Sequence, residues 1–157
     1  MQPHSYGLPP WFGLALMATV CIAAFWKGER DEQLTAGALL LSWVATMVLL
    51  DPRWIGPQWG SFIADGALLI FLVALALRSN KYWPIFAAGF HLLAVATHSA
   101  KMIDPRMGAW AYATAAVIWA DMVIMALAVG TWNSWRSQRH PAIADDDPRT
   151  DPGATRR

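Results

Sequence analysis

Five long apolar stretches alternate with short polar breaks along the chain, and this alternation sets the expected fold. The stretches cover residues 8–26, 34–50, 59–77, 82–100 and 108–132, between 17 and 25 residues each. At about 1.5 Å per residue each is long enough for a bilayer core of about 30 Å. The breaks are charged or rich in proline: KGERDEQ at 27–33, Asp51-Pro52, RSNK at 78–81, and Lys101, Asp104, Pro105 and Arg106. A soluble bundle would spread charge along the solvent face of every helix. Here 15% of residues are charged and 56% hydrophobic, against about 25% charged in ordinary soluble domains. The pattern predicts an all-α, polytopic transmembrane bundle of five helices within residues 1–133. Residues 134–157, rich in Pro, Asp and Arg, have little to bury and are expected to be a disordered cytoplasmic tail. The Asp145-Asp146-Asp147 run in that tail reads as solvated charge rather than a cation site.

Tryptophan placement gives the same division. Eight of the ten tryptophans (Trp11, Trp26, Trp54, Trp59, Trp83, Trp110, Trp132 and Trp135) fall at span ends or in the adjoining turns. Indoles collect at headgroup level, so this distribution is that of an aromatic belt. With the N-terminus outside, Lys27, Arg30, Arg78, Lys81, Arg136 and Arg139 lie inside and Arg53, Lys101 and Arg106 outside. The positive-inside rule then favours an external N-terminus and a cytoplasmic C-terminus. Residues 1–10 lack the Lys or Arg of a cleavable leader, so the first span is expected to remain as an anchor. Nine arginines to three lysines, with abundant alanine, suggest a GC-rich genome and a bacterial inner (plasma) membrane.

The tripeptide Asp-Pro-Arg occurs at 51–53 and again at 104–106, each time followed by glycine, tryptophan and another span. Two readings are open. Spans two-three and four-five are copies of one hairpin with an extra N-terminal helix, as parallel repeats are in transporters, or Asp-Pro is simply recurrent turn chemistry.

Charge and cysteine content narrow the function classes. A net charge of +1 gives no basic stripe for nucleic acid. One cysteine, Cys21, permits neither an intrachain disulfide nor a thiolate metal cage. No nucleotide loop, catalytic triad or zinc-protease motif is present, so no enzyme is expected, and neither cofactor nor metal.

The candidate site residues are the polar groups inside the spans. Asp121 is the sole charged residue of the stretch 108–132, and an intramembrane carboxylate is costly unless satisfied. Ala87, His91, Ala94 and His98 share one face of span four, where small residues admit a close neighbour. Asp121 and His91 lie within about 3 Å in depth, and Asp65 enters at a level nearer His98. The sequence thus permits two polar pairs, Asp121 with His91 and Asp65 with His98. They serve either a proton or ion path or helix register. Haem is a third use: His91 and His98 stand about 10.5 Å apart along the helix, so each would need an axial partner elsewhere. The expected function is a non-enzymatic accessory or scaffold subunit of a larger membrane complex. Its expected partners are the lipid bilayer and a membrane-protein partner or further copies of itself. The alternative is a small oligomeric transporter or channel using the Asp/His pairs.

Overall fold

Among residues 11–49, 59–104, 106 and 108–139, which the computed structural model describes, the apolar stretches form five α-helices and no strand. They are α1 (Trp11–Lys27), α2 (Arg30–Leu49), α3 (Trp59–Arg78), α4 (Trp83–Ile103) and α5 (Ala109–Arg139). The tripeptide at 51–53, Pro105 of its counterpart, residues 1–10 and the acidic run 145–147 lie outside the described residues.

Helix ends depart most from expectation in two places. The expected charged break at 27–33 is a turn of only Gly28 and Glu29. Glu32 reaches back to accept a hydrogen bond from the Glu29 backbone N–H at 2.9 Å, half of a capping box. Asp31 and Glu32 also place negative charge in the first turn of α2, where the helix dipole favours it. The turn needs glycine: a Cβ on Gly28 would stand 2.5 Å from the Ala24 carbonyl oxygen and 2.7 Å from the Glu32 Cβ. At the other end of the chain α5 does not stop at Trp132 but continues to Arg139, so the segment expected as a tail begins in helix. Its 31 residues span about 46 Å.

Each helix packs against its sequence neighbours, and α5 returns to pack on α1 and touch α2, closing the bundle. The core holds Cys21 and Ala24 of α1, Ala36 of α2, Leu68 and Leu72 of α3, Ala87 of α4, and Val123 and Leu127 of α5. Alanines at these positions bring helices close, as the small-residue face of α4 implied.

The outer surface is apolar. Trp11, Trp26, Leu41, Val48, Ile63, Ile70, Leu77, Ile85 and Phe86 are among its exposed side chains. Three helices, α2, α3 and α5 (from Trp110), are long and apolar enough to cross a membrane. α1 is apolar but has 17 residues. α4 falls outside that set, diluted by His91, Thr97, His98, Ser99 and Lys101.

Candidate functional site

Polar side chains gather at the two ends of the bundle. At one end α3, α4 and α5 each supply a member of a hydrogen-bonded chain. His98 of α4 places Nε2 3.1 Å from the Asp65 carboxylate of α3. Its Nδ1 lies 2.7 Å from the Tyr112 hydroxyl of α5. A carboxylate accepts, so His98 Nε2 carries a proton, and in the neutral ring Nδ1 accepts from the phenol. The two rings also meet edge to face, with centroids 5.5 Å apart. One turn-pair deeper on α4, buried His91 donates Nε2–H to the Asp65 backbone carbonyl at 3.0 Å.

The structure therefore brings Asp65 and His98 together and does not bring Asp121 to His91. His91 bonds to α3, where Asp65 offers a backbone carbonyl. Asp121 is half-buried and makes no hydrogen bond or ion pair among the described residues. No group of three or more His, Cys, Asp or Glu is placed to hold a metal among those residues. His91 Nε2 and both nitrogens of His98 are engaged in these contacts.

The other end carries a cluster that the sequence pattern did not disclose. Glu32 of α2 is 0% exposed, yet its carboxylate is surrounded by donors. Oε1 accepts from Lys81 Nζ at 2.8 Å, from the Trp83 indole N–H at 2.9 Å and from Ser134 Oγ at 3.0 Å. Oε2 accepts from Lys81 Nζ at 2.9 Å and from the Glu29 N–H at 2.9 Å. Lys81 also donates to Ser134 Oγ at 3.1 Å and pairs with Glu29 at 2.8 Å. Burial alone would lower the Lys81 pKa, but hydrogen bonds and charge from Glu29 and Glu32 outweigh it, and the ammonium is held above its ordinary range. Beside this knot, Ser79 donates to Asp31 at 2.7 Å, tying the end of α3 to the start of α2.

Trp83 departs from the aromatic belt for the same reason. Its indole turns inward, 6% exposed, to meet Glu32 and lies flat against Gly130 of α5. By contrast Trp11, Trp26, Trp59, Trp110 and Trp132 stay exposed. A cue existed in the sequence: Glu29 and Glu32 have capping-box spacing immediately before an apolar run. Nothing in the sequence pointed to Lys81, Trp83 and Ser134 as the partners, because they come from residues 49 to 102 positions away.

No family model, curated protein or solved structure matches the chain. The chemistry must be read from the geometry alone. The Asp65–His98–Tyr112 chain can hold or pass a proton between a phenol and a carboxylate. The Glu32 knot is a saturated ion pair that pins α2, α4 and α5. Between them lie Leu68, Leu72, Ala87, Val123 and Leu127, all buried and apolar.

Proposed function

We propose that this chain is an integral membrane protein, a non-enzymatic accessory or scaffold subunit of a larger membrane complex. In this reading the bundle sits in a bacterial plasma membrane, with its N-terminus outside and its C-terminus in the cytoplasm. Three helices of spanning length and the exposed large apolar side chains support the membrane placement. The Glu32 knot and the cations Lys27, Arg30, Arg78, Arg136 and Arg139 then lie at the cytoplasmic side, and the Asp65–His98–Tyr112 chain lies toward the outside.

The observation that carries the scaffold reading is Asp121. The other intramembrane candidates find partners within the chain, whereas Asp121, midway along α5, has none among the described residues. A carboxylate at that depth calls for a donor, and a second polypeptide is the natural supplier. The apolar layer between the two polar ends weighs against a path through one copy of the bundle.

The test is the mass and composition of the complex extracted from native membranes in mild detergent. Different subunits co-purifying in fixed ratio is the expected result. A monodisperse monomer with no other polypeptide would overturn the reading. A pure homo-oligomer would favour transport instead, with Asp121 at the contact between copies and His98 and Tyr112 as the groups that move the proton.

A further inference from the structure

We infer that the groove between the C-terminal half of α1 and α5 binds one anionic glycerophospholipid. The inference rests on the membrane placement proposed above and adds a ligand to it. The groove holds about 250 Å³ and is walled by Val20, Ala23, Ala128 and Trp132, with Thr131 in its wall and Lys27 and Trp135 at its mouth.

Two observations match two parts of such a lipid. The first is charge at the mouth. Lys27 Nζ lies 5.8 Å from the centre of the Trp135 ring and 5.1 Å from that of Trp26. The Arg139 guanidinium stacks on the same Trp135 at 4.0 Å. Neither cation has a carboxylate partner among the described residues. Stacking on an indole orients a cation without neutralising it, so both retain donors for a phosphate. No carboxylate lines the groove to compete.

The second is the apolar floor: Val20, Ala23 and Ala128 line the groove and offer a track for part of one acyl chain. Charge at the mouth and then hydrocarbon is the order of groups along a glycerophospholipid.

The experiment uses the full chain, delipidated in detergent and returned to vesicles of equimolar phosphatidylglycerol and phosphatidylcholine. The lipid that survives re-extraction is counted by native mass spectrometry. The expected result is one phosphatidylglycerol per chain, retained in preference to phosphatidylcholine. Lys27→Ala with Arg139→Ala should reduce that preference on the order of tenfold. Arg30→Ala with Arg78→Ala removes the same charge from the same side of the bundle but away from the groove, and should leave it intact.

Equal loss in both double variants would reduce the effect to general attraction of basic residues to an anionic surface, and would overturn the site. Displacement by inorganic phosphate would overturn the lipid as ligand, as would retention of both lipids alike. Release of the chain from native membranes by alkaline carbonate would instead overturn the membrane placement itself, a failure visible before any lipid is counted.

Discussion

Glu32 and Lys81 form the interaction on which the most stability turns at the scale of single residues. A buried carboxylate is tolerated only with a counter-charge and full hydrogen bonding, and Glu32 has both. Lys81→Met leaves Glu32 with dipolar donors but no cation. It should cost about 3–5 kcal/mol of unfolding free energy, at the lower end because the Lys81 side chain is 27% exposed. Glu32→Gln puts amide N–H groups against donors and should be damaging as well. The double variant Lys81→Met/Glu32→Gln should recover part of the summed loss, and strict additivity in denaturant unfolding would show that the pair is not coupled. The pH dependence follows from the same pair. Burial pulls the Lys81 pKa down, but Glu29 and Glu32 pull it up further, to a net value above the ordinary 10.5. A raised folded-state pKa means that the pair's stabilisation is complete below the unfolded value and is lost as pH climbs through the folded one. Thermal stability should therefore hold through neutral and mildly alkaline pH and decline at higher pH, with the decline attenuated in Lys81→Met. A fall beginning at neutral pH that Lys81→Met leaves untouched would locate the titrating group elsewhere.

At the scale of elements, the close approach of α4 and α5 hangs on Gly130. A Cβ there would stand 2.6–2.7 Å from the Trp83 ring, and that ring is fixed by its bond to Glu32 and cannot simply swing away. Gly130→Ala should destabilise by about 1–3 kcal/mol, the usual cost of overpacking. Gly37 in the interior of α2 meets nothing within 4 Å, so Gly37→Ala should instead be neutral or stabilising by up to about 1 kcal/mol. Equal effects of the two substitutions, measured side by side in detergent, would show that the Trp83 contact does not matter. Helix number and positions were legible in the sequence because spanning length and apolar content are local properties. The buried face of α4 was legible too, since Ala87, His91 and Ala94 repeat at helical spacing and are buried. What was not legible is whatever two elements decide jointly. Glu32 looked like one more charge in a polar break, since burial of a glutamate depends on Lys81, Trp83 and Ser134 arriving from other helices. The sequence permits His91 a carboxylate partner in Asp121, yet its acceptor is the Asp65 backbone carbonyl, which carries no sequence signal at all. The reach of α5 to Arg139 was hidden by a change of composition that ends the apolar run without ending the helix.

For the molecule as a whole, the decisive asymmetry is between the ionisable groups paired inside the chain and Asp121, which has no partner among the described residues. The knot at Glu32 and the chain through Asp65, His98 and Tyr112 fasten the bundle at both ends. Folding of the monomer therefore does not need Asp121. If Asp121 serves assembly, replacing it should separate association from folding, which a purely structural role in the core would not allow. Asp121→Leu removes the carboxylate while suiting an apolar surface, so the monomer should unfold at an unchanged or higher temperature. The native complex, however, should dissociate about tenfold more readily, the scale of a lost hydrogen bond between membrane helices at about 1–2 kcal/mol. Asp121→Asn keeps one acceptor and gains a donor, so it should fall between the two. Native mass against protein concentration, with unfolding followed on the same samples, reads both effects together. A complex of unchanged mass and affinity in Asp121→Leu would mean that no partner uses this carboxylate. Loss of the folded monomer in the same variant would mean that Asp121 satisfies a need within the bundle, and the case for a second polypeptide at α5 would then fail with it.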